Sequence, residues 1–178
     1  MSKTNSFVFR ALTVIASLIL VGLCIQVGGL LTNFIFHFLN PKALSKLYIT
    51  LDLTEMYEKS QWAFYSMYSF ILVIAVLTTV LFLEVVQMMM KMDLSNPFNP
   101  FVSNKIYRIS YITFSIGILS LIARKSADYL EKHTYDTDLL NQYWQDSQAF
   151  ILMAGIIYII AVIFRKGLEI QNENELTV

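Results

Sequence analysis

Apolar residues fall along this chain in four long blocks, without the alternation of a half-covered sheet or the single stripe of a water-soluble helix. Ala11 to Asn40 runs thirty positions without an Asp, Glu, Lys or Arg, and Trp62 to Leu83 runs twenty-two. Ile109 to Ala123 is shorter, at fifteen, and is bracketed by Arg108 and by Arg124 and Lys125. Ser147 to Phe164 adds eighteen more and stops at Arg165-Lys166-Gly167. A helix rising about 1.5 Å per residue crosses a hydrocarbon core of roughly 30 Å with about 20 apolar residues. The third block reaches that span only with its flanking cations, whose long stems snorkel to the headgroups. The pattern predicts an all-α, integral membrane four-helix bundle. Its helices are expected over about residues 8–39, 61–93, 104–131 and 146–167, with a short tail over 168–178, as one domain over 1–178.

Turn chemistry places the breaks. Asn96-Pro97-Phe98 is repeated at once as Asn99-Pro100-Phe101; Asn-Pro steps start turns and bar the preceding residue from helix. The second helix should therefore end before this repeat and the third begin near Ser103. Gly167, just after a basic last turn, suits a helix C-cap. Between the first two helices, Leu47, Ile49, Leu51 and Leu53 alternate with Tyr48, Thr50, Asp52 and Thr54. That is the period of a half-covered strand, so this stretch is expected to form either a short strand or hairpin outside the membrane or a loose segment on the headgroups.

Composition agrees with a lipid solvent. The chain is 56% hydrophobic and 15% charged, against about 25% charged in soluble domains. Thirteen basic and thirteen acidic residues balance, without the clustered Lys and Arg of a nucleic-acid groove, so direct nucleic-acid binding is not expected. The single cysteine, Cys24, excludes an intrachain disulfide. The first apolar block is too long for the h-region of a signal peptide, about 7–15 residues, and reads as a retained span.

Four spans put both termini on one side. The two tryptophans, Trp62 and Trp144, fall on the other, with Tyr48, Tyr57, Tyr65, Tyr135 and Tyr143, as in an interfacial aromatic belt. That side also carries Asp128, Glu131, Asp136, Asp138 and Asp146. The termini are accordingly expected in the cytoplasm, although basic residues near the membrane ends divide seven to six between the two sides.

Candidate chemistry is sparse. Gly22, Gln26, Gly29, Asn33 and His37 recur at helical spacing and form one polar stripe on the first helix, expected to be a buried face. Thr113, Gly117, Ser120 and Arg124 form a second on the third. Such stripes serve close helix packing or line a polar cavity. Glu84, Gln87 and Lys91 lie one turn apart and read as a solvated helix end or a proton relay. Met88, Met89, Met90 and Met92 could supply thioether ligands but also serve as apolar filler. His37 and His133 stand outside any metalloprotease spacing. No catalytic residue, cofactor site or metal site is expected.

The stretch Leu94-Ser95-Asn96-Pro97-Phe98, followed by Lys105 and Arg108-Ile109-Ser110-Tyr111, resembles an element of the YoaS-like family of four-span bacterial membrane proteins, whose function is unassigned. The last helix from Ile151 through Tyr158, continuing into Phe164-Arg165-Lys166-Gly167-Leu168-Glu169 and the acidic end with Glu173 and Glu175, resembles that family's last helix and tail. The family pattern tends to have Glu then Asp where this chain has Glu173 and Glu175. Genes of the family often neighbour one for a small helix-turn-helix regulator. The resemblance thus implies a non-enzymatic sensor or tether in the bacterial inner membrane. Its cytoplasmic partner surface would comprise Asn96, Pro97, Phe98, Glu169, Glu173 and Glu175, with the lipid bilayer as surroundings. A small transporter or immunity-type protein binding a peptide, lipid or ion, or a structural subunit of a larger membrane complex, are the alternatives; a homo-oligomer is compatible with each.

Overall fold

The computed structural model describes residues 3–39, 53–92, 98–133, 135–144 and 146–176. Its elements are α1 (Lys3–Leu39), a short α2 (Thr54–Lys59), α3 (Gln61–Lys91), α4 (Pro100–Glu131), a 3-10 turn (Asp138–Tyr143) and α5 (Ser147–Leu176). Helices α1, α3, α4 and α5 are each long and apolar enough to cross a membrane. Together they form an all-α four-helix bundle. Large apolar side chains such as Leu18 and Leu152, each 68% exposed, point away from the protein. An apolar surface of that extent belongs against lipid, and the chain is a multi-pass membrane protein.

Local chemistry sets the helix ends. Ser60 caps α3, its hydroxyl accepting from the Ala63 amide at 3.4 Å. Asn99 caps α4, its side-chain oxygen accepting from the Val102 amide at 2.9 Å, and Pro100 occupies the first turn, where a missing N–H costs nothing. The third span thus starts at Pro100, not near Ser103: the second Asn-Pro step of the repeat is a helix start, not more turn. Helix α5 likewise runs on through Gly167 to Leu176, so the expected cap at Gly167 and the expected non-helical tail are both replaced by helix. The expected strand lies mostly outside the described residues. Its last two positions, Leu53 and Thr54, form the N-cap and first turn of α2, and there is no strand among the described residues.

Packing follows chain order: α1 lies on α3, α3 on α4, and α4, most extensively, on α5. The covered positions of α1 include Phe9, Thr13, Ala16, Leu20, Leu23, Val27, Leu30 and Phe34, an alternation of four and three that seats an apolar ridge on a neighbouring helix. Only the last turns of α1 are firmly held. Leu30 is buried, its carbonyl accepts from the Tyr68 hydroxyl at 2.9 Å, and Phe34 stacks on the Tyr68 ring at 5.1 Å. The two connections on that side fold over this end: Leu53, Met56 and Leu140 join Phe64, Met67 and Tyr68 in one buried cluster.

Helices α4 and α5 meet across the second sequence stripe. Thr113, Gly117 and Ser120 are buried, which makes this stripe a packing face, while Arg124 at its end is exposed. A Cβ on Gly117 would stand 2.8 Å from Ile151 Cγ1 and 3.1 Å from the Ile151 backbone nitrogen. Seven residues earlier, the Ser110 hydroxyl donates to the Ala154 carbonyl at 3.0 Å. Gly155, by contrast, faces open space. Gly117→Ala should therefore push α4 from α5 and cost about 1–3 kcal/mol, whereas Gly155→Ala should cost nothing; thermal unfolding in detergent micelles, followed by circular dichroism, checks the contrast.

Candidate functional site

A helix end that carries Glu, Gln and Lys at one-turn spacing would ordinarily reach into water, but α3 keeps its partner α4 alongside to the last turn. Glu84 is 4% exposed, so the reading of a solvated end is corrected. Its carboxylate receives the Lys105 ammonium on Oε2 and the Arg108 Nε at 3.0 Å on Oε1. Lys105 also donates to Gln87 Oε1 at 2.6 Å. Two cations from successive turns of α4 thus clamp one carboxylate and one amide from successive turns of α3. Aromatic faces extend the group: the Lys105 and Lys91 ammoniums stand 5.5 Å and 5.4 Å from the centre of the Phe101 ring, within cation–π reach.

Burying these charges is costly, and mutual pairing with full hydrogen bonding is what offsets the cost. Both Glu84 oxygens are engaged in ion pairs with α4. No nucleophile is paired with them here. The arrangement fastens two spans at the side that holds the termini, and that is what its chemistry equips it to do. Sequence reasoning placed Glu84 and Gln87 together but missed Lys105 and Arg108 as their partners. The signal was available: Glu84 and Arg108 lie equally far from Asn96, so an antiparallel pair of helices turning there brings them level.

On the same side, Phe98 folds back onto α5. Its ring lies 5.2 Å from that of Phe164 and so close over Gly167 that a Cβ there would stand 2.8 Å from Phe98 Cε1. The glycine at 167 leaves room for the ring, and the helix runs on past it. Beyond it, Glu169 accepts from Lys166 at 2.7 Å and has Arg165 at 3.9 Å, all exposed. The structure thus brings Phe98 and the start of the expected acidic surface onto one helix. Glu173 lies exposed two turns from that seat. Asn96, Pro97 and the Glu175 side chain are outside the described residues.

The other expected stripe is not assembled. Gly22 and Gln26 are exposed and Gly29 and Asn33 only partly covered, because α1 turns its Leu- and Phe-bearing ridge to α3 and leaves the polar residues on the flank. The expectation of a buried face there is corrected; the His37 side chain is outside the described residues. Met88 and Met92 pack with Val102, Ile106 and Ala161 as apolar filler, and Met90 is exposed. His133 donates from Nδ1 to the Tyr129 carbonyl at 2.8 Å. Among the described residues, no three His, Cys, Asp or Glu side chains come together as a metal site would require.

At the opposite side of the membrane, a cavity of about 740 Å³ opens between α3 and α4. Trp62, Ser66, Met67 and Phe70 form one wall, and Leu121, Ile122, Lys125, Ser126, Tyr129 and Leu130 the other. Of these residues only Trp62, in an aromatic belt, and Lys125, in a flanking basic pair, stood out in the sequence.

No family model matches the chain, and neither curated proteins nor solved structures yield a match.

Removal of one partner from a buried ion pair strands the other, at about 3–5 kcal/mol, while an exposed partner contributes about 0–1 kcal/mol. Lys105 is 13% exposed and Arg108 64%. Lys105→Met should accordingly lower the unfolding temperature in detergent far more than Arg108→Ala, and equal losses would mean that Lys105 is not the principal partner.

Proposed function

We propose that the protein is a non-enzymatic tether in a bacterial inner membrane, with both termini in the cytoplasm, that holds a small helix-turn-helix transcription regulator and answers to a signal in the bilayer or beyond it. One observation carries this reading: Phe98 seated over Gly167 unites the turn between α3 and α4 with the projecting end of α5. Two segments that would otherwise move separately become one surface. The Glu84 clamp fixes the helices on which that surface stands, so a shift of α3 against α4 would reach it directly.

Recognition would rest on shape more than the sequence suggested. Glu169 is already paired with Lys166 and Arg165, which reduces its pull on a basic partner, while Phe98 remains 38% exposed as an apolar contact.

The second reading, a small transporter or immunity-type protein, gains support from the cavity between α3 and α4, which is large enough for a ligand of about 300–1,000 Å³. A crosslinked pull-down from native membranes separates the two. Under the tether reading the neighbouring regulator is captured by the full chain, and is lost on deleting residues 168–178 or on Gly167→Leu, which evicts the Phe98 ring. Capture undiminished in both membrane-inserted variants, or no capture by the full chain, would overturn it.

A further inference from the structure

We infer that the cavity between α3 and α4 is a binding site for one membrane lipid with an anionic headgroup, taken from the leaflet opposite the termini. This goes beyond the tether reading and does not depend on it. The cavity begins at Trp62, in the first turn of α3 and 80% exposed, and reaches Phe70. Eight residues of helix correspond to about 12 Å, so the groove descends from headgroup level into the hydrocarbon. Phe70, Leu121 and Ile122 line its deep part and Trp62, Lys125 and Tyr129 its upper part. An apolar trough of this depth fits an acyl chain.

Charge selects the headgroup. The two serine hydroxyls in the walls are already satisfied within their own helices: Ser66 donates to the Ala63 carbonyl at 3.1 Å and Ser126 to that of Ile122 at 2.9 Å. Lys125 is the one charged residue of the lining, and it makes no ion pair among the described residues. Asp128, one turn on, does not reach it. An ammonium with a long flexible stem beside an apolar trough, flanked by Trp and Tyr, is complementary to a lipid whose phosphate carries no compensating cation. Zwitterionic lipid would fill the same trough but bring its own cation to the same level.

The test is native mass spectrometry of the full chain, released from micelles containing equal amounts of phosphatidylglycerol and phosphatidylcholine. One phosphatidylglycerol should be retained in preference to phosphatidylcholine. Lys125→Gln should reduce that preference about fivefold, the effect of one lysine near a charged headgroup, while Arg124→Gln, on the neighbouring face of α4, should leave it in place. Ser66→Phe, which fills the trough, should reduce retention of both lipids. Equal retention of the two lipids by the unaltered chain would overturn the inference, as would a preference that Arg124→Gln removes as fully as Lys125→Gln. Retention insensitive to Ser66→Phe would place the lipid elsewhere on the surface.

Discussion

A polar atom in hydrocarbon has no water to turn to, so each one must find its partner inside the protein. Nearly every feature of this bundle can be traced to that requirement. Hydroxyls on the spans bond to carbonyls one turn back, as Thr13 does to Phe9, Thr78 to Ile74 and Ser115 to Tyr111. Where a group can instead reach a neighbouring helix, it ties the two together: Tyr68 to Leu30, Ser110 to Ala154 and, with full charges, Glu84 to Lys105 and Arg108. Among the described residues, the buried Ser120 hydroxyl and Trp144 indole nitrogen find no such partner. An orphaned buried group costs about 1–3 kcal/mol, and both stand near the start of α5, Trp144 just before it and Ser120 about level with its first turn.

The two sides of the membrane are built differently. On the terminal side, the charge clamp, Phe101 between two ammoniums, and Phe98 over Gly167 bind α3, α4 and α5 into one unit. On the opposite side, aromatic packing around Phe64 and Tyr68 joins α1 and α3 to Ala127 and Leu130 of α4, and the groove runs along the α3–α4 flank beside it.

How far this was readable from residues alone varies with the kind of interaction. The turn at the Asn-Pro-Phe repeat was legible because proline's missing N–H and steric demands act on its immediate neighbours. Gly117 was legible as packing because it falls in a stripe of small residues, which lets helices approach closely, whereas an isolated glycine such as Gly155 faces open space. Gly167 was misread, since the same residue type serves a helix end and a ring seat, and only the arrival of Phe98 from another segment separates the two. Gln26 was misread as part of a buried face because polarity in a span suggests a partner, whereas α1 takes its register from the fit of Phe9, Leu20, Val27 and Leu30.

Length and apolar content fixed the number of spans, their approximate limits and the placing of both termini on one side, because the thickness of the bilayer acts on each helix separately. Which faces meet was left to the tertiary structure. In water an apolar stripe declares its own direction, but a helix that is apolar all round carries no such signal. Its orientation is then decided by shape and by scarce polar pairs: the gap at Gly117 that admits Ile151, the ridge of α1 on α3, and the meeting of Glu84 with Lys105. Each of these needs two segments distant in sequence to be in place at once, and the pattern of a single stretch does not specify that.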